Sequence, residues 1–397
     1  MKILVVLPRF PYPLDKGDKL RAYHQVVELS KRHEIYLFCV SHDSVSNDQR
    51  AALAPYCREI CVVRLNRLLC YINILRNWFA AKSLQMGYWN TSRSKRLCRS
   101  FANRIQPDVV YNQMVRTMPL VARLPFPKVM DFQDALSLNT ERRMDQSRGL
   151  WHYILHFEFK MLRSSEYNAF SIFDALTIIS ETDSEAIPHK KNGEIQIVPN
   201  GVDLDYFNPL IPQHGDPVTY DIVFCGNMSY APNIDAARYL VEQVMPLVWQ
   251  KLPATTVLLA GTDPKRKVRS LADDRRIHVP GRLPDIRTAY SSSHLFVAPM
   301  RIGSGLQNKL LEAMAIGLPC VTTSIANAAL GAVHGQQLLL GDTAQDLADS
   351  IVTLLTDDAL CHRIADQGHS FVTDHYNWDS AVQRLENVLA QVCKSRT

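Results

Sequence analysis

Short apolar runs alternate with longer segments of helical periodicity along almost the whole chain. The apolar runs have the length of buried strands, and the segments between them are long enough for crossover helices. Alternating strands and helices form βαβ units, in which helices cover both faces of a parallel sheet. The predicted strands are ILVVL (3–7), IYLFCV (35–40), VVY (109–111), KVMDF (128–132), ALTIIS (175–180), IQIVPN (195–200), YDIVFCG (220–226), TVLLAG (256–261), IHVPG (277–281), LFVAP (295–299) and LPCVTT (318–323).

A proline-rich stretch interrupts this alternation near the middle of the chain. It reads NPLIPQHGDP and covers residues 208–217, and the strand–helix pattern restarts after it. A chain of 397 residues is also longer than one typical core, so we expect two α/β domains. We place the domains at 1–200 and 219–376, a linker at 201–218 and a final helical segment at 377–397.

The composition indicates the class of protein and the compartment in which it is found. The chain is 47% hydrophobic and 21% charged, as in ordinary globular proteins, and no sequence window has the roughly 18 apolar residues of a membrane span. The first apolar run is too short for a signal peptide, because Pro8 and Arg9 end it. Nine cysteines are scattered without metal-binding spacing, which favours free thiols in a reducing cytoplasm. We therefore expect a cytoplasmic protein.

Positive charge is concentrated in residues 64–106. This segment has nine lysines and arginines, no aspartate or glutamate, and aromatic residues that include Trp78, Phe79, Tyr88 and Trp89. Basic and aromatic residues at helical spacing can bind an anionic membrane surface, which would make the protein peripheral at the inner face of the cell membrane. The alternative is a solvated basic face whose aromatic residues belong to the core. Without a recognised nucleic-acid-binding motif, we expect no nucleic-acid partner.

The loops that follow the predicted strands are where open α/β sheets bind ligands. Two of them lead through glycine into a helix, one at Gly17 and one within RIGSGLQNKLLEAMAIGLPCVTT (301–323). A helix N-terminus with free amides binds anions, although glycine after a strand is also an ordinary turn. Helical spacing places Gly305, Lys309 and Glu312 on one face. Neither a dinucleotide fingerprint nor a Walker A motif is present, which disfavours an NAD-dependent enzyme.

The chain resembles the retaining glycosyltransferases of the GT-B fold, in the group called family 4. Its motifs IVPNGVDLDYF (197–207), SGLQNKLLEAMAIGLPCVTT (304–323) and YNWD (376–379) carry the likeness. GNMSYAPNIDA (226–236) is similar to sugar transferases of bacterial exopolysaccharide and cell-envelope gene clusters. The resemblance implies an α/β fold with two Rossmann-like, doubly wound parallel-sheet domains facing a central cleft. The first would bind the acceptor and the second the nucleotide sugar, with the last helix returning to the first.

The resemblance also implies an activity. A hexose would move from a UDP- or GDP-sugar to a hydroxyl of a glycan or lipid-linked glycan, with retention, in cell-surface polysaccharide or lipopolysaccharide synthesis. No cofactor is expected and no metal, because helix amides, Arg301 and Lys309 can stabilise the leaving diphosphate. One alternative is a nucleotide-sugar 2-epimerase of the same fold, although we find no additional set of acids with a histidine for it. The other is a non-catalytic nucleotide-sugar-binding partner.

The resemblance assigns most donor contacts to the loop and helix after residue 300. Glu312 would hold the ribose hydroxyls, or it forms a simple helix pair with Lys309. Backbone amides of the preceding loop would meet the sugar and diphosphate. These donor-binding positions are Ser304, Gly305, Leu306, Glu312, Gly17, Asp18, Asn227, Arg282 and Leu283, with Gly17 and Asp18 in the loop nearest the diphosphate and Arg282 and Leu283 beside the base.

The second half of the chain departs from the family pattern at positions where the family has charged residues. Ser304 stands where the family has its first acid, and Asn227 and Asn233 stand in the loop where it has a basic pair. We therefore expect Arg301 and Lys309 to replace those cations as catalytic groups.

The first domain departs as well. Gln133 and Asp134 stand where the family often has a histidine–aspartate step. Asp134 would orient the acceptor as a catalytic residue, with Gln133 beside it, or Asp134 caps a helix.

Overall fold

The computed structural model describes residues 1–14, 16–145, 147–209, 220–302 and 305–394. The chain divides into two compact units. The first unit consists of Met1–Pro199 and Trp378–Thr397, and the second of Asn200–Asn377. Each has one parallel sheet, as predicted from the alternation of strands and helices.

The sheet of the first unit has seven parallel strands in the order β3-β2-β1-β4-β5-β6-β7. The central strand β1 is buried on both faces, with Leu4 and Val6 in one apolar cluster and Val5 and Leu7 in another. A continuous apolar run is what a strand covered on both faces requires. The strands are β1 (Lys2–Leu7), β2 (Glu34–Ser41), β3 (Glu59–Arg64), β4 (Val109–Gln113), β5 (Lys128–Asp131), β6 (Ala175–Ile178) and β7 (Gln196–Ile197).

Helices connect these strands. Five of them carry serine, threonine or asparagine caps at their N-termini that accept a hydrogen bond from the first turn, as the sequence pattern of capping residues favours. The helices are α1 (Gly17–Ser30), α2 (Asn47–Ala51), α3 (Arg67–Phe79), α4 (Leu84–Trp89), α5 (Ser92–Ile105), α6 (Met118–Val121), α7 (Leu136–Asp145), α8 (Leu150–Ile172) and α9 (Glu181–Ala186).

The second unit repeats this architecture with six parallel strands in the order β10-β9-β8-β11-β12-β13. Residues 201–209, expected in the linker, lie in this unit, and the rest of that linker lies outside the described residues. The strands are β8 (Tyr220–Cys225), β9 (Val257–Ala260), β10 (Ile277–Gly281), β11 (Ser293–Ala298), β12 (Cys320–Thr322) and β13 (Leu339–Leu340). The helices are α10 (Ala231–Tyr239), α11 (Met245–Lys251), α12 (Arg266–Arg269), α13 (Arg287–Ser291), α14 (Asn308–Ala315), α15 (Ser324–Asn327), α16 (Ala344–Thr356) and α17 (Asp358–His375), with a π-helical turn (Leu240–Val244) between α10 and α11.

The last helix, α18 (Trp378–Lys394), belongs to the first unit. It packs on α1 and on β4, β5 and β6, with Leu385 and Leu389 in the same apolar cluster as Val5. The ring of Trp378 stacks on His24 of α1, 4.8 Å between centroids. None of the helices in the described part of the chain combines the length and apolar character of a membrane crossing.

In each sheet, the direction in which successive strands are added reverses once, and this point fixes where ligands bind. The reversal lies between β1 and β4 in the first unit and between β8 and β11 in the second. In open parallel sheets the loops that leave such a pair of strands diverge and open a crevice at their carboxyl ends. The two candidate half-sites are therefore these two pairs of loops.

Candidate functional site

Glycine backbone lines the strand ends of the second unit. Gly261 follows β9 with φ +151°, and a Cβ there would lie 1.6 Å from the carbonyl oxygen of Gly226, which follows β8. No other residue fits such an approach, because real Cβ atoms do not come within 3.0 Å of a neighbour. Gly261 also donates its N–H to the oxygen of Gly281, at 3.0 Å. The loops after β8, β9 and β10 are thereby held side by side, and Arg282 and Leu283 follow directly.

Helix α14 begins at the loop that leaves β11. Its N-cap residue is Gln307, and no side chain caps its first turn. Gln307 instead donates from Nε2 to the oxygen of Gly305, at 2.8 Å. A Cβ built on Gly305 would meet nothing within 4 Å, so its surroundings are open. An uncapped helix start beside open backbone at a sheet reversal is a site for an anion.

Lys309 joins this helix to the loop after β8. Its Nζ donates to Asn233 Oδ1 at 2.6 Å and lies 4.8 Å from the centroid of the Phe224 ring. Asn233 in turn donates from Nδ2 to the backbone oxygen of Asn227, at 3.0 Å. Burial lowers the pKa of Lys309 to about 8. The ammonium therefore lies beside the loops that leave β8 and β11, and its predicted role toward a diphosphate stays a prediction.

Glu312 lies one turn further along the same helix. Its Oε2 accepts a hydrogen bond from the buried hydroxyl of Tyr290, at 2.8 Å, and Oε1 has no partner among the described residues. Burial raises the pKa of Glu312 to about 7, against the hydrogen bond from Tyr290 and the charge of Lys309. Glu312 forms no salt bridge with Lys309 in the described structure, so the simple helix pair is not found. The carboxylate has one oxygen fixed and one available for a hydroxyl.

Arg301 differs from the prediction. We expected its guanidinium to serve the leaving diphosphate, but Nη2 and Nε bind the carboxylate of Asp235 at 2.6 and 3.0 Å. The guanidinium also stacks 4.3 Å from the ring centroid of Tyr239. The side chain is about half exposed. Lys309 is thus the cation held at the loops, while Arg301 is already paired.

The other residues predicted to bind the donor differ in their surroundings. Asn227 Oδ1 accepts from both the N–H and the hydroxyl of Ser229, at 2.9 and 2.7 Å, so its side chain shapes its own turn. Leu306 packs partly on the core of the second unit, Arg282 is exposed and Leu283 is partly buried. Ser304 lies outside the described residues. The structure thus brings Asn227, Arg282, Leu283, Gly305, Leu306, Lys309 and Glu312 to one edge of the second sheet.

In the first unit, buried side chains occupy the carboxyl ends of the strands, where the second unit has glycine backbone. Arg21 of α1 forms a fully buried ion pair with Asp131 at the end of β5, with Nε 2.6 Å from Oδ2. The hydroxyl of Tyr111 lies 3.0 Å from the same oxygen and 2.8 Å from Gln25 Oε1. Arg21 is therefore bound to Asp131 inside the first unit and not available to an anionic ligand.

Gln133 extends this buried network. Its Nε2 donates to Gln113 Oε1 at 3.1 Å, and its backbone adopts φ +65°, in the left-handed region that few residues other than glycine adopt. Gln133 therefore supports the loop after β5 and turns the chain toward Asp134.

Asp134 has one oxygen bound and one without a partner. Oδ2 accepts from Asn139 at 2.8 Å, whereas the buried Oδ1 has no hydrogen-bond partner among the described residues. Burial raises the pKa of Asp134 to about 6, and Asp183 adds to the shift while Arg116 opposes it. A buried carboxylate oxygen without a protein partner is one that a ligand hydroxyl or a water molecule can satisfy, which makes Asp134 a candidate ligand contact.

Asp134 is not a helix cap. The N–H of Ala135 is bound by Asp183 and that of Ser137 by Glu166, at 3.3 and 2.9 Å. Those carboxylates, from α9 and α8, hold the start of α7. The helix-cap alternative for Asp134 is therefore wrong.

Gly17 and Asp18 do not form a loop. They are the first two residues of α1, and Asp18 binds Arg9 at 3.0 Å between Oδ2 and Nε. The predicted role of this pair in a loop nearest the diphosphate is thus wrong in its local structure. Sequence reasoning also missed Tyr290 and Asp235, since no local spacing links either one to α14 or to Arg301.

Comparison with known proteins finds similarity in both parts of the chain. Residues 219–357, in the second unit, match the family model described as glycosyl transferases group 1. The chain is 21% identical to an uncharacterised 44.6 kDa protein of the cps region of Klebsiella pneumoniae, over 95% of this chain and 96% of that protein. It is 26% identical to phosphatidyl-myo-inositol mannosyltransferase of Mycobacterium leprae over 50% of this chain and 54% of that protein.

Two solved structures have the same fold over nearly their whole length. Sucrose-phosphate synthase from Thermosynechococcus elongatus superposes with a TM-score of 0.72 at 14% identity, covering 100% of both chains. HepE of Anabaena, solved with UDP-glucose, gives a TM-score of 0.70 at 15% identity, covering 98% of this chain and 99% of that chain. The predicted GT-B glycosyltransferase fold is confirmed.

Proposed function

We propose that this protein is a retaining glycosyltransferase of family 4 that moves a hexose from a nucleoside diphosphate sugar to a hydroxyl of a glycan or lipid-linked glycan. The observation that carries the proposal is the start of α14, where an uncapped helix, Lys309 and Glu312 meet glycine backbone at a sheet reversal. The group 1 glycosyltransferase match over residues 219–357 supports it.

The donor is bound by the second unit in this proposal. Glu312 Oε1 accepts the ribose hydroxyls, and the amides of Gly305 and Leu306 meet the sugar and the diphosphate. Lys309 and the N-terminus of α14 stabilise the charge that develops on the leaving diphosphate. Arg301 contributes only by exchanging Asp235 for a phosphate oxygen. UDP-glucose is the first donor to test, because HepE was solved with it.

The acceptor is bound by the first unit in this proposal. Asp134 Oδ1 accepts a hydrogen bond from the acceptor hydroxyl and so orients its oxygen. The oxygen bonds to the anomeric carbon as the bond from that carbon to the diphosphate breaks, on the same face. The hydroxyl proton passes to the leaving phosphate oxygen, so the step needs no separate base and no metal ion.

Cell-surface polysaccharide synthesis is the setting that we propose. The similarity to a Klebsiella cps-region protein and to a mannosyltransferase of a membrane lipid supports it. Attachment to the inner face of the cell membrane through residues 64–106 fits such an acceptor. Within that segment Trp78 and Phe79 are exposed and open to a membrane surface, whereas Tyr88 and Trp89 pack partly on the core.

Thermal unfolding with a panel of nucleotides tests donor binding. A ligand that binds only the folded state raises its stability by about 2.7 kcal/mol at 100 times its Kd. We expect UDP or GDP and the matching sugars to raise Tm, and NAD to leave it unchanged. Slow release of the nucleoside diphosphate from the bound sugar without acceptor then separates a transferase from a binding partner, which would release none. A rise in Tm with NAD alone would overturn the proposal.

A further inference from the structure

A cavity of about 640 Å³ lies in the first unit. Helices α3, α4, α5 and α8 contribute its walls, and it shares Lys95 with an adjoining cavity of about 530 Å³. The walls are held in place by Asn73 and Asn77 of α3, which donate to the oxygens of Asn90 and Ser83 at 2.8 and 2.7 Å. The cavity is therefore part of the fold.

Its charged lining has one sign. Among the lining residues in the described part of the chain there is no aspartate or glutamate, and none of the lysines and arginines has a salt-bridge partner. Glu158, whose carboxylate reaches Ser83 on the wall, is occupied by the Ser83 hydroxyl and two backbone N–H groups. The cations of the two cavities are Arg76, Lys82, Lys95, Arg96, Arg99 and Arg123.

Clustered cations without counter-charges destabilise each other. Lys95 is partly desolvated, and its pKa is lowered by burial and by the charges of Lys82 and Arg123. A bound anion would remove this repulsion, and lysine and arginine side chains are phosphate ligands. The lining thus favours a phosphate group over a neutral ligand.

The helix that walls the cavity also carries an exposed apolar face. Leu68, Ile72, Leu75 and Phe79 recur at helical spacing on α3, and 74% of Leu68 and 86% of Phe79 is exposed. Trp78 extends this face to α8 through the ring of Phe157, with 4.6 Å between centroids. Soluble proteins rarely expose contiguous apolar patches of this kind without a partner.

We propose that the cavity binds the phosphate headgroup of an anionic lipid whose hydrocarbon chains lie along this apolar face of α3. The positive charge of the cavity favours an anionic headgroup. The exposed leucine, isoleucine and phenylalanine side chains favour contact with the hydrocarbon chains of the lipid. The inference rests on the proposed membrane attachment, and it adds a specific phosphate site to it. It does not depend on glycosyl transfer.

Vesicle flotation tests the site. Phosphatidylcholine vesicles with phosphatidylglycerol are compared with vesicles of equal surface charge made with oleate, which has a carboxylate and no phosphate. We expect tighter binding to phosphatidylglycerol, and a loss of about 25-fold in the Lys82→Gln/Lys95→Gln variant, since each cation near an anionic surface adds about fivefold. The control, Arg266→Gln/Lys267→Gln on α12, removes the same charge from the second unit and should bind as the unchanged protein does.

Four results would overturn the phosphate site. Equal binding to oleate vesicles, or an equal loss in the control variant, would mean attachment by diffuse charge alone. No binding to any vesicle would remove the membrane attachment as well. A rise in Tm with inorganic phosphate as large as that with short-chain phosphatidylglycerol would assign the cavity to free phosphate. UDP binding, measured on the same samples, reports on the donor site separately and verifies that the variants fold.

Discussion

The two units have the same sheet reversal but use it differently. In the second, glycine backbone and one uncapped helix leave the strand ends open, with Lys309 bound to Asn233 and Glu312 bound to Tyr290. In the first, Arg21, Asp131 and their neighbours fill the strand ends with buried side chains. Identical topology therefore supplies a binding crevice in one unit and a rigid platform in the other, and the residues at the strand ends decide which.

The largest expected effect comes from breaking the platform. Asp131→Asn leaves the buried Arg21 guanidinium without its counter-charge, and removal of one partner from a buried pair costs about 3–5 kcal/mol. We expect that loss in the free energy of unfolding measured with urea. Asp235→Asn makes the same change in the more exposed pair with Arg301, where about 0–1 kcal/mol is expected. Equal losses in the two variants would contradict the comparison.

Substitutions at the open half-site of the second unit should weaken ligand binding without lowering the stability of the fold. Lys309→Met keeps an apolar stem beside Phe224 but removes the ammonium, and a hydrogen bond to a charged group contributes about 1.5–3 kcal/mol. UDP affinity measured by titration calorimetry should therefore fall about 10- to 150-fold with little change in Tm. Arg301→Met should weaken binding less, because Asp235 already holds that guanidinium. A larger effect at Arg301 would restore the original assignment of the catalytic cation.

A substitution of Asp134 tests whether the first unit, which forms the platform, also orients the acceptor. Asp134→Asn keeps an oxygen acceptor but removes its charge, so we expect kcat to fall by about tenfold. UDP affinity should not change. In the unchanged protein kcat should rise as pH passes about 6, because Asp134 must ionise to accept the hydroxyl hydrogen bond. Retention of full kcat by the variant would remove Asp134 from the proposed reaction.

The smallest effect is the dependence of UDP affinity on pH. Ribose hydroxyls favour the ionised Glu312, so affinity should rise as pH passes about 7. The diphosphate favours the protonated Lys309, so affinity should fall above about 8. Each limb can change affinity by at most tenfold per pH unit, since one proton is involved. Glu312→Gln should abolish the lower limb alone, and its persistence would show that another group titrates there.

Part of the fold and site could be predicted because the signals are local. The buried runs of β1 and β8 and the helix start at α14 follow from residues close together in sequence. The edge strand β3 was missed, since its half-exposed residues form no continuous apolar run, and β13 was missed because it has only two residues. The buried ion pair of Arg21 was missed for a different reason. Its partner Asp131 is 110 residues away, beyond any spacing rule.

The sequence by itself determined the alternation of strands and helices, the glycines at the strand ends and the clustering of positive charge in residues 64–106. Backbone propensity and hydrophobic periodicity act over a few residues, so these features are visible in the order of amino acids. Only the tertiary structure decided which charges are paired and which face of α3 is exposed. Those outcomes depend on groups that meet across the fold, such as Tyr290 with Glu312, where burial and a neighbour set the chemistry of the side chain.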